Sequence, residues 1–166
     1  MPYIPVNNIT AEELFDRVSD ILTAKDAAPA NLNKMMHETL VLVCHEGLSD
    51  TNQAFGNLFS QVDFLCKRHH VNVGDAIAVQ KMRRDSNHSL PLSSEDLLFD
   101  CRALCLFISA VFDTDIPSSL TGRIPVTNKI PTEIHHIDYR YIRCIVRSFD
   151  DNTIDAEIDQ NAKEST

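Results

Sequence analysis

Glycine is scarce in this sequence, with 4 residues in 166, and proline contributes 7. That excludes collagen-like and low-complexity classes. It also leaves no Walker loop, no Gly-x-Gly-x-x-Gly turn and no Gly-x-Ser-x-Gly elbow, so no phosphate-cradling loop is encoded. No run of about 18 apolar residues is present, so a membrane-spanning helix is not expected. The start, MPYIPVNN, lacks a basic stretch followed by an apolar one, so no signal peptide is expected. The 5 cysteines are odd in number and scattered, which reads as reduced thiols in a cytoplasmic protein rather than a disulfide framework. Basic residues are outnumbered, 15 against 24 acids, for a formal net charge of −9. This balance argues against a protein that coats duplex nucleic acid or an anionic membrane with its whole surface. A local basic site is still compatible with it.

What is present is ordinary globular material, 43% hydrophobic and 23% charged. That is enough for one domain of roughly 100–150 residues with its own core and an appendage. The acid excess is uneven, because Asp150, Asp151, Asp155, Glu157, Asp159 and Glu164 crowd the end of the chain. Apolar positions recur at helical spacing through the first 115 residues. Thr10 with Glu13 forms a capping box opening a helix over about 11–24, with Leu14, Val18, Ile21 and Leu22 as its stripe. Pro29 breaks it. Leu32, Met35, Met36, Leu40 and Val43 predict a second helix to about His45, with Gly47 as its stop. Asp50 or Thr51 is expected to cap a third, whose stripe Phe55, Leu58, Phe59, Val62 and Leu65 runs to about His69. After a turn at Asn72–Asp75, a fourth helix is expected over Ala76–Arg84, followed by a loop over 85–91. Ser93 with Asp96 signals a fifth helix through Leu97, Cys101, Leu104, Cys105, Ile108 and Phe112. It is apolar over much of its circumference and should be the central, most buried one.

From 116 to 138 the chain is rich in Pro, Ser and Thr and reads as a linker or an ordered excursion over the surface. Tyr141–Ser148 and Ile154–Asp159 then alternate about a turn at Phe149–Thr153, predicting a β-hairpin within 139–166. An isolated hairpin is marginal in water. The expectation is therefore a mainly α protein: a bundle of about five helices over 1–115, a linker over 116–138, and a hairpin that begins a further domain of a longer protein.

The most informative stretch for chemistry is Lys81-Met-Arg-Arg-Asp-Ser-Asn-His88. Arg83 offers a planar fork for phosphate, and His88 titrates near neutrality and can move a proton to or from a ribose hydroxyl. An Arg and a His held at a helix end form a phosphodiester-cleaving pair that needs no metal. The plainer reading is that basic residues at a helix C-terminus balance its dipole. Lys67 and Arg68, beside His69 and His70, make a second short basic patch. Joined to Lys81, Arg83 and Arg84, it would form one positive face on which a single strand of RNA or DNA could lie. Cys101 and Cys105 stand at i, i+4 with Cys44 and His45 elsewhere, but small thiols on an apolar helix read as core, and no metal site is assigned. His135-His136 and His69-His70 are adjacent pairs ill-placed to share one ion. Cys66 and Cys144 have no neighbouring base in sequence and carry no nucleophile assignment.

A helical bundle with Arg83-x4-His88 lying between its penultimate helix and a long final helix resembles the HEPN superfamily, whose signature is Arg, four to six residues, then His. The resemblance covers about residues 10–115. It implies a homodimer in which two Arg-His pairs face one RNA cleft, with Arg83 on phosphate and His88 as general acid/base. Nuclease members carry a small polar residue after the motif Arg where this chain has Arg84, and this chain has no extended basic surface. The resemblance therefore implies first a non-catalytic module for interaction or dimerisation. It would be the amino-terminal module of a larger cytoplasmic, nucleic-acid-associated, helicase-like protein, without cofactor. A metal-independent ribonuclease using Arg83 and His88 is the alternative.

Overall fold

A computed structural model describes residues 9–24, 26, 28–52, 55–88 and 92–127; of Pro29 and His88 it describes the backbone only. These residues form six helices: α1 (Ala11–Thr23), α2 (Pro29–Gly47), α3 (Leu58–Arg68), α4 (Val73–His88), α5 (Ser94–Phe112) and the short α6 (Ser118–Thr121). The protein is mainly helical as expected, and no strand occurs among the described residues. The expected hairpin over 139–166 lies outside them.

The capping signals work as local chemistry predicts. Thr10 accepts from the Glu13 backbone N–H at 3.2 Å while the Glu13 carboxylate accepts from the Thr10 N–H at 3.4 Å, closing the box. Ser93 Oγ accepts from the Asp96 N–H at 3.0 Å and starts α5. α5 contacts α1, α2, α3 and α4. Its Cys101, Leu104, Cys105, Phe107 and Ile108 are fully buried, so it is the central helix of the bundle. It ends at Asp113, which adopts a left-handed backbone (φ 49°).

Three expectations are corrected. Helix three starts later than Asp50 or Thr51: Asn57 is its cap, accepting from the Ser60 N–H at 2.8 Å. Asp50 is engaged instead by Arg68. Phe55 precedes the helix, its ring 5.1 Å from that of Phe64. Gly47 does end α2, but not as a left-handed cap, since no glycine among the described residues has positive φ. A Cβ there would meet the Leu65 methyls at 2.9 and 3.0 Å and a Val111 methyl at 3.0 Å. The residue is small because α2 passes close to α3 and α5.

The third correction concerns α4. Asn72 opens it earlier than expected, its Oδ1 accepting from the Asp75 N–H at 2.9 Å. At the other end Asp85, Ser86, Asn87 and His88 continue the helix, where a loop is expected from residue types that favour turns. Tertiary burial overrides that preference: Asp85 is fully buried and ion-paired one turn back to Lys81, and Ser86 Oγ donates to the Arg83 carbonyl at 3.0 Å.

Residues 116–127, the described part of the stretch read as a linker or an ordered excursion, lie against the bundle. Leu120 on α6 is buried in the core. Arg123 donates to Ser19 Oγ at 3.0 Å and Thr23 Oγ1 at 3.4 Å on α1, and Arg102 of α5 donates to the Val126 carbonyl at 3.3 Å.

Candidate functional site

The residues singled out for chemistry fall on α3 and α4, which form an antiparallel pair joined by a short turn through His70 (φ 57°). The antiparallel arrangement sets Gln80, midway along α4, beside Phe59, early in α3. Gln80 is buried and donates through Nε2 to the Phe59 carbonyl at 3.0 Å. Its Oε1 accepts from Arg83 Nε at 2.7 Å, and the Arg83 guanidinium lies over the Phe59 ring, 5.5 Å from its centroid. Arg83 is thus seated in a polar and aromatic cradle that fastens α4 to α3.

His88 is the last residue of α4, and its side chain lies outside the described residues. Being five residues apart on one helix, the Arg83 and His88 backbone positions are turned by about 140° and separated by about 7.5 Å along the axis.

The two basic clusters do not adjoin. Lys67 and Arg68 stand at the C-terminal end of α3, whereas Arg83 meets Phe59 near its start, about 12 Å away along the axis. Each cation of the first cluster has an acidic partner. Lys67 pairs with Asp63 at 3.1 Å. Arg68 forms a two-pronged pair with Asp50, donates to the Gly47 carbonyl at 3.3 Å, and lies 5.9 Å from the Phe64 ring centroid. The Arg68 hydrogen bond holds the Asp50 carboxyl below its usual range. An open groove of about 600 Å³ is lined there by Asp50, Thr51, Phe64, Lys67 and Arg68. Among the described residues neither histidine nor cysteine lines it.

The second cluster turns inward. Arg84 is half-buried, with its Nε inside the protein. Lys81, expected on a strand-binding face, instead places Nζ 2.6 Å from Asp85 Oδ2 and 3.1 Å from Asp100 Oδ1. Both carboxyls are essentially inaccessible, at 0% and 1% exposure. Burial pushes the lysine toward its neutral form, but the charges and hydrogen bonds of Asp100 and Asp85 outweigh this and hold it protonated more firmly than usual. Sequence reasoning missed this cluster. Two signals pointed to it: the i, i+4 spacing of Lys81 and Asp85, and Asp100 lying within the apolar run of helix five.

The thiols are likewise interior. Cys44, Cys66, Cys101 and Cys105 are buried. Burial pushes Cys66 and Cys105 up to about 12, and raises Cys44 and Cys101 as well, so none is a ready nucleophile. Among the described residues no three His, Cys, Asp or Glu side chains are grouped to hold a metal ion. No described helix is long and apolar enough to cross a membrane. Comparison of the chain with protein-family models, curated proteins and solved structures found no match.

Proposed function

We propose that the helical bundle is a non-catalytic interaction module, of the kind a larger nucleic-acid-associated, helicase-like protein carries, acting by pairing with a second copy or with a neighbouring domain. The observation that carries this reading is the use made of its charged and nucleophilic groups. Arg83, the residue that would take phosphate in a HEPN-type ribonuclease, is held against Gln80 and Phe59. Lys81 is committed to two buried aspartates, Lys67 and Arg68 to Asp63 and Asp50, and the described thiols to the core. Arg83, Lys81 and the thiols serve the packing of helices, which is what a rigid recognition surface requires, and Lys67 and Arg68 are neutralised by acids beside them.

The test is a cleavage assay on labelled single-stranded RNA in EDTA, with wild type beside Arg83→Ala and His88→Ala, each shown to be folded. The module reading predicts no cleavage by any of the three. Metal-independent cleavage by wild type that disappears in both variants would make the protein a ribonuclease of the Arg-His type instead. Light scattering on the same samples reads the pairing, and a dimer is the expected outcome if the second copy is the partner.

A further inference from the structure

Where α4 lies against α5, two aspartates share one lysine in the interior. Lys81 Nζ uses Asp85 Oδ2 and Asp100 Oδ1, and the remaining oxygens, Asp85 Oδ1 and Asp100 Oδ2, are buried with no hydrogen-bond donor. Both carboxyls reach the same ammonium, at 2.6 and 3.1 Å, which sets them side by side. With both ionised, the cluster would carry one uncompensated negative charge and two buried lone acceptors. Both are costly in an interior closed to water.

We propose that Asp85 and Asp100 hold one proton between them, so that with Lys81 they form a charge-neutral unit clamping α4 to α5, and that loss of this proton loosens the clamp. One O–H removes both penalties together. It cancels the surplus charge, and it supplies a donor that joins the two orphaned oxygens, as in other carboxyl pairs forced close together. Burial, then the hydrogen bond and charge of Asp85, raise the Asp100 carboxyl well above its ordinary range, and Lys81 opposes them without overcoming them. The charged groups that act on Asp100 besides its burial are Asp85, which raises it, and Lys81, which lowers it, both on α4.

The direction of the pH effect follows from linkage. The folded chain keeps a proton that the unfolded chain releases at ordinary carboxyl pH. The contribution is therefore complete below that pH and is lost as pH rises through the value of the folded pair. Asparagine at position 100 is uncharged at every pH and carries an N–H donor where the shared proton sits.

The experiment follows thermal unfolding of the full chain from pH 5 to pH 9, wild type beside Asp100→Asn. It adds a carbon-13 titration of the aspartate carboxyl carbons in the folded wild type. The expected result is that the melting temperature of wild type falls relative to that of the variant as pH rises from 5 to 9. One aspartate carboxyl of the wild type should still be protonated at pH 6.5, and its signal should be missing from the variant. A variant that melts lower than wild type by the same margin at every pH would overturn the proposal. So would a folded wild type in which every aspartate carboxyl is ionised by pH 5, a result that holds whether or not the variant folds.

Discussion

Two ends of the α3–α4 hairpin use the same chemical pairings in opposite surroundings. At the C-terminal end of α3, Lys67 with Asp63 and Arg68 with Asp50 are in contact with water, the Asp50 side chain being 59% exposed. In the C-terminal half of α4, Lys81 meets Asp85 and Asp100 with carboxyls 1–2% exposed. Lys67, Arg68 and Asp50 keep much of their water, so forming those pairs gains little, about 0–1 kcal/mol each. The second set has lost its water, and each member relies on the others. Pairs of aspartate with a cation therefore decorate one end of the hairpin and determine the other. The extension of α4 through Asp85 to His88 is the visible result.

The largest effect that sharpens this contrast is expected from Lys81→Met. It leaves two buried carboxyls without their cation and should cost about 3–5 kcal/mol at neutral pH by urea unfolding. Gly47→Ala should cost about 1–3 kcal/mol by forcing a Cβ against Leu65 and Val111. Because that strain is steric, its cost should be the same at pH 5 and pH 8; a marked pH dependence would show that charge is not what separates the two regions. Ser93→Ala, which removes the cap of α5, should cost about 1 kcal/mol and be equally insensitive to pH. The smallest effect belongs to Arg68→Gln, under about 1 kcal/mol, and high salt should erase it. The linked carboxyl works in the opposite sense from the buried pair: Asp50 lies below its ordinary range, so its contribution is present at neutral pH and is lost as pH falls below that range through the folded value. A loss at Arg68 as large as that at Lys81 would break the comparison outright.

How much of this could be read from the sequence differs by element. α1 and α5 were legible because cap and stripe agree: Thr10 and Glu13 precede Leu14, Val18, Ile21 and Leu22, and Ser93 and Asp96 precede Leu97 through Phe112. α4 was legible only in its middle. Asp85, Ser86 and Asn87 favour turns by intrinsic preference, and Asp85 is held by Lys81, which also meets Asp100 on the next helix. Local spacing cannot supply that contact. The same holds for Gly47, whose meaning comes from Leu65 and Val111 rather than from its own turn. The candidate site was legible as a set of residues and not as an arrangement. The proximity of Arg83 and His88 in sequence does not state that Gln80 and Phe59 take hold of the guanidinium, nor that the helix continues through both positions.

The claim that joins these findings is that the charged residues of α4 serve the fold. Its most direct test is Arg83→Ala, measured for unfolding free energy and for affinity to single-stranded RNA on the same preparation. If Arg83 fastens α4 to α3, stability falls by about 1–2 kcal/mol through the lost hydrogen bond and ring contact, and RNA affinity does not change. Unchanged stability with RNA binding or cleavage abolished would contradict it and return Arg83 to the role of phosphate ligand.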